Sequence, residues 1–162
     1  MSYKAESLQS HLHKFKLLII SISSPLLVGV YKDEELVEST SSEQKTSEAL
    51  LPILKQYLSK YDISSTIYTR GPGSHMSTKL TYIILKTIEI TRDIKCFGCS
   101  AFLFNNAKPI KAIANLYFSK EKDTIITKKY QQPVPACFAL PQSIHDLEID
   151  EESTPEYMLP AV

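Results

Sequence analysis

Over the first hundred residues, apolar positions fall into short runs separated by polar breaks. KLLIISISS (16–24) is apolar on both faces, whereas PLLVGVYK (25–32) and EELVESTSS (34–42) alternate more. Breaks at Ser24-Pro25 and Lys32-Asp33 read as turns. A run apolar on both faces needs cover on both, so the first predicts a central strand and the other two predict edge-ward strands. TSEALLPILKQYLSKY (46–61) carries Leu50, Leu54, Tyr57, Leu58 and Tyr61 at helical spacing. Thr46 or Ser47 can cap this helix, Glu48 suits its first turn, and Pro52 removes one backbone bond and bends it. ISSTIYTRG (63–71) predicts another strand and IKCFGCS (94–100) a last one.

The stretch between them, SHMSTKLTYIILKTIEITRD (74–93), pulls two ways. Its Thr and Ile content favours a strand. Its periodicity favours a helix, with Met76, Leu80, Ile83, Ile84, Thr87 and Ile88 on one face and a second apolar patch at Tyr82 and Leu85. A strand of that length would be unusual, so a helix is predicted. The order β-β-β-α-β-α-β makes an α/β fold, a mixed sheet flanked by helices over residues 16–104. Residues 105–162 read as a reduced C-terminal region: PIKAIANLYFS (109–119) and DTIITKKYQ (123–131) form a hairpin turning at Lys120–Asp123, followed by a proline-rich, acidic tail expected to be extended or partly disordered. Residues 1–14 have no firm period and read as a frayed extension or a short helix.

With 162 residues the chain has room for one core, and 43% hydrophobic with 22% charged residues is the composition of a soluble globular protein. Lys+Arg and Asp+Glu both number 18. A protein that grips nucleic acid by itself usually carries a basic excess, so any nucleic acid is expected to be held mainly by a partner. The longest apolar run, Leu17–Ile20, falls far short of the ~20 residues that cross a bilayer. The first fourteen residues lack the apolar core of a signal peptide, so a cytoplasmic location without membrane contact and free thiols are expected.

Candidate chemistry is sparse. Gly71-Pro72-Gly73-Ser74 lies between a predicted strand and a predicted helix, where glycines permit positive φ and free N–H groups can hold an anion. A P-loop needs Lys directly before Ser or Thr, and a dinucleotide fingerprint needs a third glycine. Neither is present, so a strand-to-helix turn capped by Ser74 is the stronger reading, with Gly71, Gly73 and Ser74 kept as anion or nucleotide contacts. Cys96 and Cys99 would point to opposite faces of a strand and read as buried structural thiols. His11, His13, His75 and His145 make no metal pair at helical spacing, so no metal is expected. No nucleophile elbow or catalytic carboxylate stands out.

Three segments together resemble one family. LLIISISSP (17–25), TSEALLP (46–52) and RGPGSHMSTKL (70–80) are similar, in order and spacing, to the first strand, first helix and R-G-P-G-S turn of the TsaB family. The resemblance implies an RNase H-like, actin-type domain, shortened and diverged. It implies a non-catalytic subunit that binds and stabilises a TsaD-type enzyme in threonylcarbamoyl transfer to adenosine of tRNA. The implied partners are a TsaD-like protein as a heterodimer and a TsaE-like ATPase, with tRNA reached only through the complex and ATP, if bound, at a partner interface. The two helices would carry the interface, through Leu50, Leu54, Tyr57, Leu58, Met76, Tyr82, Ile83 and Leu85. The chain departs from the family where Ser21 replaces the first strand's Asp, where Thr46 replaces the helix-opening His, and at His75-Met76-Ser77-Thr78-Lys79. Thr81, Ile83, Leu85 and Thr87 replace small residues of the second helix and forbid close helix approach. Two other readings compete: a self-associating homodimer using the same helix face, and a weak ATPase or peptidase-like protein.

Overall fold

The structure is a computed structural model that describes residues 15–156. The expected order holds through residue 100: β1 (Phe15–Ile20), β2 (Leu26–Lys32), β3 (Glu35–Ser42), α1 (Thr46–Lys60), β4 (Ile63–Gly71), α2 (His75–Arg92) and β5 (Lys95–Ser100). These strands form one mixed sheet in the order β3-β2-β1-β4-β5. β1 pairs antiparallel with β2 and parallel with β4, and β4 pairs parallel with β5.

β1 is central, as its two apolar faces require, and Leu17 to Ile20 are wholly buried. β2 departs from expectation. It is interior and buried over most of its length, because Leu26, Val28 and Val30 face the helices while Tyr31 faces the other side. Only β3, at the edge, shows the half-exposed alternation. The β2–β3 turn is Asp33-Glu34, both at positive φ (50° and 69°), one residue later than predicted. That two-residue geometry matches the twist of a hairpin.

α1 and α2 lie on one face of the sheet, over Leu17, Ile19, Val28, Val30 and Tyr68. The periodic group Met76, Leu80, Ile83, Ile84, Thr87 and Ile88 along α2 is split between the inner and outer sides of the helix. Thr78, Thr81, Leu85 and Ile88 are the buried positions, with Tyr82 and Ile84 packed at their margin. Met76, Ile83 and Thr87 point outward. The buried threonines each lose their polarity to a backbone carbonyl one turn earlier, Thr78 to Ser74 at 2.6 Å and Thr81 to Ser77 at 2.8 Å. Buried this way, threonine behaves as a small apolar residue, which hydropathy alone misses.

Beyond a 3-10 turn at Ala101–Phe104, the predicted hairpin is a three-stranded antiparallel sheet: β6 (Ile110–Ile113), β7 (Leu116–Glu121) and β8 (Thr124–Lys129). The segment 109–119 is broken at Ala114, whose φ is 51°, so one predicted strand becomes two. The tail is a strap rather than a loose end. Phe138, Leu140, Ile144 and Leu147 pack on Leu18, Ile20, Tyr31 and Ile67, the sheet face that the helices leave open. Its backbone is tied to the rest of the chain by Ala139 N to Phe104 O, Ile144 N to Glu34 O and Asp150 N to Gly98 O, at 2.9–3.0 Å. The reading of residues 1–14 lies outside the described residues.

Candidate functional site

The glycine turn is built by β4 ending at Gly71 and by Ser74 capping α2. Ser74 Oγ accepts from Ser77 N–H at 3.4 Å, and the Ser74 carbonyl accepts the Thr78 N–H at 3.0 Å. Gly71 and Gly73 have φ of 134° and 156°, a region open to glycine. A Cβ on Gly73 would stand 2.3 Å from Ile22 Cγ2, and one on Gly71 would stand 2.8 Å from the Glu156 carbonyl oxygen. The turn is therefore pressed between the β1–β2 connection and the end of the strap. It positions α2, as the turn reading expects.

Ser21, at the position of the family's acid, is 2% exposed and closed in by α2. Thr81 donates its hydroxyl proton to the Ser77 carbonyl, so Ser21 Oγ–H donates to Thr81 Oγ1, at 2.8 Å. The Ser21 N–H donates to Thr69 Oγ1 at 3.4 Å. A chain of neutral hydroxyls thus closes this position. Among the described residues, no group of three His, Cys, Asp or Glu side chains is gathered to hold a metal ion.

Two open hollows flank Ser74 and Met76. One, of about 700 Å³, runs between Ile22, the glycine turn and Ile110, Phe118 and Phe138 of the C-terminal part. The other, of about 680 Å³, separates the first turns of α1 and α2 near Thr46 and Ser77. Thr46 Oγ1 donates to Ser77 Oγ at 3.3 Å across it, tying the two helix starts together.

The proposed interface residues divide sharply. Leu50, Leu54, Tyr57 and Leu85 are 0–1% exposed and belong to the core beneath the helices, so their side chains present nothing to a partner. Tyr82 and Leu58 are partly buried against that core. Met76 (82% exposed) and Ile83 (49%) do point outward, and Ile90 (78%), overlooked in the sequence, joins them. With Leu80 half-buried and Thr87 exposed, positions 76, 80, 83, 87 and 90 make one stripe along the outer face of α2. The sequence periodicity already sets the first four on one face, and the 4-3-4-3 spacing is the signal that extends it to Ile90. Leu51 of α1, 43% exposed, adds to the same helix layer.

Cys96 and Cys99 lie on opposite sheet faces, in the helix-side and strap-side cores. Burial pushes their thiols up to about 11 and about 12, which keeps them protonated and unreactive. Arg70, missed in the sequence, anchors the strap. Its guanidinium meets Asp150 at 3.0 Å, Glu152 at 3.5 Å and Glu156 at 3.7 Å, and its Nε donates to the Thr154 carbonyl at 2.7 Å. The acidic tail that read as a solvated charge run is partly paired with this one cation.

No protein-family profile and no curated protein matches this chain. Among solved structures it is similar to an uncharacterized protein with similarity to peptidase YeaZ from Pseudomonas aeruginosa, with a TM-score of 0.55 and 11% identity over 75% of this chain and 70% of that one. It is also similar to YeaZ from Pseudomonas aeruginosa, with a TM-score of 0.53 and 11% identity over 75% and 71% of the two chains. The likeness establishes a shared mixed α/β, actin-like fold.

Proposed function

We propose that this chain is a non-catalytic subunit of the TsaB type, which binds and stabilises a TsaD-type enzyme in threonylcarbamoyl transfer to tRNA. The observation that carries the reading is the stripe Met76–Leu80–Ile83–Thr87–Ile90 on α2, left uncovered among the described residues while the strap closes the opposite sheet face. Side chains such as Met76 and Ile90, at 82% and 78% exposure in one row, mark a partner surface. The YeaZ-like fold and the three TsaB-like segments support the choice of partner. Ser21, bonded to Thr81 in place of the family's acid, supports a role without metal-phosphate chemistry of its own. A TsaE-like ATPase, and any ATP at the joint, would then join through the complex.

Mixing the chain with TsaD from the same organism tests the reading. One co-eluting heterodimer peak at micromolar concentration is expected, and two separate peaks would reject it. Ile83→Glu with Ile90→Glu should weaken the association at least tenfold while leaving the melting temperature near that of the parent, since both side chains are exposed. A homodimer through the same stripe is the second reading. It predicts a mass of two chains when alone, falling to one chain in the same double variant.

A further inference from the structure

The strap has two halves held by different forces. From Phe138 to Leu147 it is fixed by side chains seated on the open sheet face, among them Ile144 at 5% exposure. From Glu148 to Glu156 no residue is buried, and Ile149, the one large apolar side chain there, is 40% exposed. What holds this second half is polar. Asp150 N–H donates to the Gly98 carbonyl at 2.9 Å, and Glu156 N–H to the Arg70 carbonyl at 2.7 Å. Tyr68 Oη–H donates to the Ser153 carbonyl, and Arg70 Nε–H to the Thr154 carbonyl at 2.7 Å. Asp150, Glu152 and Glu156 all share the Arg70 guanidinium. The floor beneath is bare. A Cβ on Gly98 would stand 2.7 Å from Arg70 Cδ and 3.3 Å from the Glu152 carbonyl oxygen, and one on Gly71 would stand 2.8 Å from that of Glu156. Main chain lies close on main chain, so the groove accepts an extended backbone and meets its acids through Arg70.

We infer that residues 148–156 are a latch that opens by itself while Phe138–Leu147 stays docked, baring a groove around Arg70 that fits an extended acidic segment of another chain. Local opening takes the parts of a fold that have few buried apolar contacts and exposed polar bonds, and the latch is such a part. Salt screens contacts between half-exposed charges, whereas it does not weaken apolar burial. The latch outcompetes a free segment of the same chemistry because its attachment to the docked half keeps it near.

Amide exchange on the whole chain separates the two halves. The Asp150 and Glu156 amides should exchange at least about 100-fold faster than those of Ala139 and Ile144, which bond to the Phe104 and Glu34 carbonyls in the docked half. Raising sodium chloride from about 0.05 to about 1 M should speed the first pair about tenfold further and leave the second pair unchanged. Four amides that exchange at one rate, or that answer salt alike, overturn the inference. Arg70→Gln should speed the first pair alone. So should Asp150→Asn with Glu152→Gln and Glu156→Gln, which keeps the cation; an equal rise at Ala139 and Ile144 overturns the latch. The groove is probed with a fluorescent peptide of residues 148–156. It should bind the triple variant at least about tenfold more tightly than the parent, whose own latch competes, and Arg70→Gln should abolish binding. Equal binding to parent and triple variant, no binding to the triple variant at millimolar peptide, or binding that survives the loss of Arg70 overturns the groove.

Discussion

Gly73 is held at φ 156° with its α-carbon against Ile22, which is itself 3% exposed. Gly73→Ala should therefore destabilise the fold by about 2–3 kcal/mol in urea unfolding, from backbone strain and overpacking together. Adding Ile22→Ala removes the clash but not the strain, so the double variant should lose clearly less than the sum of the two single losses. Strict additivity would show that the 2.3 Å approach to Ile22 has no energetic consequence. At this scale the turn was legible, because Gly-Pro-Gly-Ser between a strand and a helix has few other uses. The Ser21–Thr81–Ser77 chain was not. It joins residues sixty positions apart, and nothing local to any of them announces the pairing. Arg70 escaped notice for the same reason, since its carboxylate partners lie eighty or more positions further along.

Elements were legible where period and propensity agreed. β1, α1 and β4 fall where the apolar runs place them. α2 was found, but two of its four buried positions, Thr78 and Thr81, were not, because their hydroxyls bond back into the helix and hydropathy counts them as polar. The strap was missed as an element because it has no period at all. Phe138, Leu140, Ile144 and Leu147 are spaced by the register of extended chain over a sheet, among prolines that read as disorder. Its attachment to the β2–β3 turn has a pH signature. His145 Nδ1 lies 2.7 Å from Glu34 Oε2, and the carboxylate raises the imidazole above its ordinary 6.5. The same bond, with help from Lys16, holds Glu34 below its ordinary 4.5. The His145 contribution is complete below 6.5 and fades as pH rises through the raised folded value, and the Glu34 contribution is complete above 4.5 and fades as pH falls through the lowered one. The attachment is therefore tightest between these two ordinary values. An NMR titration should place the His145 midpoint above 6.5 and return it toward 6.5 in Glu34→Gln. A midpoint that ignores the substitution would break the pair.

At the scale of the molecule, one five-stranded sheet must be covered twice. The helices cover one face, and the strap does on the other face what a further helix layer would do in a larger α/β domain. In that division the strap lies on the face away from the helices, so it does not reach the outer stripe of α2. The division has a consequence for stability. A chain ending at Gln132 keeps every strand and both helices, yet uncovers Leu18, Ile20, Tyr31 and Ile67. Each large apolar side chain returned to water costs about 1.5–3 kcal/mol, so four cost about 6–12 kcal/mol, comparable to the whole stability of an ordinary domain. The shortened chain should lose cooperative unfolding and bind the dye ANS. Ile144→Ala in the full chain, a milder change at a side chain 5% exposed, should cost about 2–4 kcal/mol while unfolding stays cooperative. A shortened chain that melts as sharply as the parent would mean that the sheet needs only its helix face covered, and that the strap is free to leave when a partner arrives.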